Sequence, residues 1–105
     1  MEIIVTGRHF ELSEALKNYA IDKISAVMSE YRKITSVRLV LDQQKSLAKA
    51  EIIVHGKNMN YEAESESYDN MYKAIDEAVL RADRQVVKHF EKVQDHHKGK
   101  DFKRD

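Results

Sequence analysis

The stretch Ser36-Val37-Arg38-Leu39-Val40-Leu41-Asp42 puts Val37, Leu39 and Leu41 on one side of an extended chain and Arg38 and Val40 on the other. Alternation with a period of two is the mark of a strand that buries one face. The pattern repeats twice downstream. From Leu47 to His55, Ala48, Ala50, Ile52 and Val54 share a face. From Asn60 to Ser67, Tyr61, Ala63 and Ser65 point one way and Glu62, Glu64 and Glu66 the other. The polar runs Gln43-Gln44-Lys45-Ser46 and Gly56-Lys57-Asn58 separate these segments and suit tight turns. Three successive strands joined by short turns predict antiparallel hairpins with one apolar face.

Upstream, Glu2 to Thr6 is a short β-branched run closed by Gly7, a further strand. Ser13 then precedes Glu14-Ala15-Leu16, a helix cap followed by good helix formers. Leu16, Ala20, Ile24 and Val27 recur at steps of three and four, so a helix is predicted from Ser13 to about Tyr31. Downstream, Met71, Ile75, Ala78, Val79, Ala82, Val86, Phe90 and Val93 form one continuous stripe, a long helix capped by Ser67 or Asp69. After Asp95 the apolar period ends, and Gly99 is a natural stop. The expected class is α+β: a single β-α-β-β-β-α domain over residues 1–95, with residues 96–105 as a disordered basic tail. Each helix has one apolar stripe, so both should pack on the same face of a four-stranded sheet.

Composition narrows the chemistry. There is no cysteine, hence no disulfide and no thiolate ligand or nucleophile. The N-terminus lacks the basic start and apolar run of a secretory signal, and no stretch approaches the roughly 20 apolar residues of a bilayer span. The expected location is the cytoplasm. No glycine-rich phosphate loop, nucleophile elbow or His-x-x-x-His helix motif occurs. No enzymatic activity, metal or cofactor is expected. The pair His96-His97 falls in the expected tail, where nothing would hold ligand geometry.

Lysine plus arginine number 18, and so do aspartate plus glutamate. Zero net charge would argue against a nucleic-acid partner, but the distribution of charge makes a footprint, not its sum. Projected at about 100° per residue, Arg81, Arg84, Lys88 and Lys92 fall within a sector of about 80° on the last helix. Asp76 and Asp83 occupy the opposite shoulder. Such a row on a long helix is more often a solvated face than an RNA site. Glu62, Glu64 and Glu66 read as a solvated outer sheet face that discourages edge pairing.

Several strings resemble the ribosome hibernation promoting factor and ribosome-associated inhibitor A family. They are Ile4-Val5-Thr6-Gly7, Glu11-Leu12-Ser13-Glu14-Ala15-Leu16, Asp69-Asn70-Met71-Tyr72-Lys73-Ala74-Ile75-Asp76 and Arg84-Gln85-Val86-Val87-Lys88-His89. The resemblance implies a domain that binds the small (30S) ribosomal subunit and its 16S rRNA, in the mRNA and tRNA channel at the A and P sites, and blocks translation. Carried over position by position, it makes Lys23, Arg81, Arg84, Lys88 and Lys92 RNA contacts, with Arg8 in a loop where some members carry a base. The short segment after Asp95 favours the short promoting form, which implies inactive ribosome dimers and a second dimerising factor. The alternative is an inhibitor that holds idle monosomes and prevents dimerisation. Off the ribosome a monomer is expected. A further alternative is a double-stranded RNA-binding module, since α-β-β-β-α is embedded in the order. Such modules use a basic helix start, and Asp69-Asn70 is not basic.

Overall fold

The computed structural model describes residues 1–98, with side chains described to Glu91. The elements are β1 (Glu2–Arg8), α1 (Glu14–Met28), β2 (Ile34–Gln44), β3 (Leu47–Gly56), β4 (Met59–Ser67) and α2 (Met71–Lys98). They form one sheet in the order β1-β2-β3-β4. β1 runs parallel to β2, and the other pairings are antiparallel. The expected β-α-β-β-β-α order is therefore present, with α2 over β3 and β4 and α1 beside it.

The alternation of the strands is what sorts the two sheet faces. Val37, Leu39, Leu41, Ala48, Ala50, Ile52, Val54 and Ala63 point to the helices and are buried. Leu16, Ala20, Ile24 and Met28 of α1 meet them, as do Met71, Ala74, Ile75, Ala78, Val79, Ala82 and Val86 of α2. Fully burying a side chain such as Ile24 or Ile52 stabilises the fold by roughly 1.5–3 kcal/mol, so the helices cannot leave the sheet cheaply. Ser65 also faces inward. It has no apolar reason to be there, but its hydroxyl donates to the Ala74 carbonyl and ties β4 to the first turn of α2.

Element boundaries moved where local hydrogen bonds overrode periodicity. α1 stops at Met28, earlier than Tyr31, because the chain turns and Tyr31 N–H bonds Met28 C=O at 3.1 Å. The first hairpin loop shrinks to Lys45-Ser46, because Gln44 still pairs with Leu47. α2 is capped by neither Ser67 nor Asp69: the Asn70 side chain accepts the Lys73 N–H at 2.9 Å. Ser67 instead holds the turn before the helix, accepting from the N–H groups of Asp69 and Asn70. α2 continues to Lys98, past the expected boundary at residue 95. The rest of the expected tail lies outside the described residues. Among the described residues, no helix is long and apolar enough to cross a membrane.

The β3–β4 turn, Lys57-Asn58, is pressed against the connection from α1 to β2. Lys57 N–H donates to Lys33 C=O at 3.0 Å. A Cβ built on Gly56 would collide with that same oxygen. The neighbour is backbone, so it cannot swing away, and only glycine leaves room. Gly56→Ala should lower stability by about 1–3 kcal/mol, the usual cost of overpacking. Denaturant unfolding monitored by circular dichroism checks this; an unchanged midpoint would show that the two loops are not in contact.

Candidate nucleic-acid interface

The six cations singled out in the sequence do not form one surface. Arg81 lies on the flank of α2 that faces the free edge of β4, and Arg84 and Lys88 stand beside it on the exposed side of the helix. Lys23 sits on the other flank, in the groove between α1 and α2. Its Nζ stands 3.6 Å from Asp76, which also accepts the Tyr19 hydroxyl at 2.5 Å. Asp83 lines the same groove and accepts the Tyr31 hydroxyl at 3.0 Å. The acidic shoulder of α2 is thus turned toward α1, where tyrosines and Lys23 compensate it. Burial, together with the Asp83 hydrogen bond, pushes the Tyr31 hydroxyl up to about 12, so it stays protonated and donates.

Arg8 lies elsewhere again. At the end of β1 it is on the sheet face opposite the helices, in a row that crosses all four strands: Arg8, Asp42, Lys49, Glu66. The signs alternate along this row. Arg8 Nε is 3.5 Å from Asp42, and Lys49 Nζ is 3.7 Å from Glu66. His9, held at a positive φ of 68°, turns its ring onto the same carboxylate, with Nδ1 2.8 Å from Asp42 Oδ1. A carboxylate only accepts, so that nitrogen carries the proton. The next row inward ends in Glu51 and Glu64, and the one after it in Glu62. The three alternating glutamates are exposed on this open face, as their alternation in the sequence predicts. Arg8 therefore belongs to a largely acidic surface.

The α2 flank itself is graded. Arg81 is turned inward toward the sheet edge: Nη1 donates to Glu64 C=O at 2.6 Å and Nε to Glu77 at 3.0 Å. One turn on, Gln85 Nε2 donates to Glu62 C=O at 2.9 Å. These two side chains cover carbonyls of an edge strand, which unprotected would invite pairing with another chain. Arg84 and Lys88, on the outer side of the same flank, are exposed and have no carboxylate within 4.0 Å among the described residues. Lys92 continues the stripe on the helix, but its side chain lies outside the described residues. Nearby, the Tyr61 hydroxyl is 2.7 Å from His89 Nδ1. The Gln85 clamp was not legible in the sequence, because a glutamine on a helix shoulder carries no signal of where the neighbouring strand ends. A hydroxyl–carboxylate pair such as Tyr31–Asp83 spans 52 residues and is equally invisible before folding.

An α+β domain with its helices on one face, an acidic open sheet and exposed cations along one helix flank has the charge layout of a surface that meets an anionic partner from one side. The model of the Sigma 54 modulation protein / S30EA ribosomal protein family matches residues 3–94, and the chain belongs to that family. It is 33% identical over 94 residues to the ribosome hibernation promoting factor of Pseudomonas putida, covering 90% of this chain and 91% of the relative. The Azotobacter vinelandii factor of the same name is 31% identical over 99 residues, covering 94% and 92%. Among solved structures, a ribosomal subunit interface protein from Coxiella burnetii superposes with a TM-score of 0.80 at 22% identity, covering 87% of this chain and 99% of that one. The Thermus thermophilus Protein Y N-terminal domain does so with a TM-score of 0.73 at 31% identity, covering 82% and 96%.

Asp42 gives the acid side of the stability curve a definite sign. The hydrogen bond from His9 holds its carboxyl below the ordinary value, with His9, Arg8 and Lys49 charges adding to this and desolvation opposing it. A depressed carboxylate contributes stability above its unfolded value and loses it as pH falls through the folded one. Asp42→Asn should therefore flatten the decline in stability on acidification below about pH 4. Denaturant midpoints measured against pH test it; a variant that declines as steeply as the parent would remove Asp42 from the acid transition.

Proposed function

We propose that this chain is a ribosome hibernation factor of the short promoting kind. In this reading it acts in the cytoplasm and binds the small ribosomal subunit and its 16S rRNA in the mRNA and tRNA channel at the A and P sites. It blocks translation there and stabilises idle ribosomes as dimers. Relatives that cover nearly all of this chain carry the name ribosome hibernation promoting factor, which supports the reading. The observation that carries it is the pair Arg84 and Lys88. They stand one turn apart on α2, exposed, and among the described residues no carboxylate lies within 4.0 Å of either, although Asp83 and Glu91 line the same surface.

The mechanism is occupation without chemistry. Exposed cations meet backbone phosphates and displace their counterions, which holds the domain but reads little sequence. The acidic open face of the sheet is repelled by RNA, so the same field that draws α2 inward turns β1 through β4 away. Arg81 and Lys92 flank the central pair in this interface. Lys23, Arg8 and Arg81 each face a carboxylate of their own chain, so an RNA phosphate would have to compete with Asp76, Asp42 or Glu77 for them.

The Arg84→Ala, Lys88→Ala double variant should bind purified small subunits more weakly than the parent. The slope of log affinity against log salt should flatten by roughly 0.7–0.9 for each phosphate that is no longer neutralised. Parent-like binding across the titration would exclude this flank of α2. In sucrose gradients of ribosomes incubated with the chain, a shift to dimers supports the promoting form. Blocked monosomes without dimers would identify the inhibitor form instead.

A further inference from the structure

Several cations of this domain already have an acid beside them. Arg8, Lys23, Lys49, Lys73 and Arg81 each lie within 4.0 Å of a carboxylate. At one end of the sheet the opposite holds. The α1–β2 connection carries Arg32 and Lys33, the β3–β4 turn carries Lys57, and all three are exposed. None has a carboxylate within 4.0 Å among the described residues, although Glu30 lies in the same connection. Lys17, Arg38 and Lys45 are likewise unpaired there, but they stand apart on α1, on the open sheet face and at the opposite hairpin.

The three end cations are brought together by backbone contacts, not by chance proximity of mobile side chains. The Lys57 N–H to Lys33 C=O bond of 3.0 Å locks one loop to the other, and Gly56 permits that approach. Thr35 adds a second tie, its hydroxyl donating to His55 C=O at 3.3 Å. The α1–β2 connection is in turn fixed to the C-terminal half of α2. The Tyr31 ring stacks on Phe90 with centroids 5.5 Å apart, and its hydroxyl reaches Asp83. Arg32 follows Tyr31 directly, and Phe90 lies two residues beyond Lys88. The end of the domain is therefore tied to α2, and each carries a group of cations with no ion-pair partner within 4.0 Å among the described residues.

We propose that Arg32, Lys33 and Lys57 form a second phosphate-binding patch, which engages RNA backbone distinct from that met by Arg84 and Lys88. The inference rests on the ribosome-binding reading and extends its surface from a helix flank to the end of the sheet. Like charges gathered on exposed loops repel only weakly in water, and together they attract a partner of opposite charge. Phosphates spaced along a folded RNA supply that partner at two places at once.

The test uses the full chain and purified small ribosomal subunits. The Arg32→Ala, Lys33→Ala, Lys57→Ala variant keeps the backbone contact of the two loops, and its unfolding midpoint checks that. It should bind roughly tenfold more weakly than the parent, with the salt slope reduced by about 2. The charge-preserving Arg32→Lys, Lys33→Arg, Lys57→Arg variant should keep the parent slope. Parent-like affinity and slope in the alanine variant overturn the patch, as does equal loss in the charge-preserving one. The Arg84→Ala, Lys88→Ala variant run in parallel separates the two failures. If only that variant loses binding, the end patch falls and the ribosome reading stands. If both variants bind like the parent, both fall.

Discussion

One sheet face is apolar and the other is not, and two helices must cover the apolar one. Burial of Leu39, Leu41, Ile52 and Val54 beneath Ile24, Ile75 and Val79 is the contact on which every other feature depends. It fixes which shoulder of each helix turns inward. Once the α2 stripe is seated on β3 and β4, Asp76 and Asp83 must face α1, and Arg81 and Gln85 must face the β4 edge. The outer positions Arg84 and Lys88 are then left in solvent. The electrostatic surface is a by-product of apolar packing.

That packing also explains how a chain of zero net charge can present a positive side. The open sheet face takes the alternate residues of each strand, and these are largely acidic on β3 and β4: Glu51, Glu62, Glu64 and Glu66. The charges do not cancel, because the sheet lies between the two surfaces. Where opposite signs do meet, as in the Arg8–Asp42–Lys49–Glu66 row, they stitch strands together and are unavailable for a partner. Exposed pairs such as Lys49–Glu66 contribute little to stability, whereas Asp42 is buried. Their larger effect is to decide which cations stay free.

The α2 flank combines two roles in adjacent positions. Arg81 and Gln85 close the edge of β4 by donating to its carbonyls, while Arg84 and Lys88 remain uncommitted. A surface meant for an anion also has to avoid pairing with a second copy of its own sheet. The helix that carries the cations protects the edge with Arg81 and Gln85, four positions apart, because such positions share a helix side.

The sequence alone determined the element order, the apolar faces and the α+β class, because burial imposes periods of two and 3.6 that survive in the residue pattern. It also placed Arg81, Arg84, Lys88 and Lys92 on one helix sector, which is a matter of helix geometry. Only the tertiary structure decided which of those cations are engaged. Arg81 meets a carbonyl 17 residues away, Lys23 a carboxylate on the other helix, and Arg8 an acid on the next strand. It alone joined Arg32 and Lys33 to Lys57 across a glycine contact. Periodicity reports the direction of a side chain relative to its own element; what that side chain meets depends on the packing of elements distant in sequence.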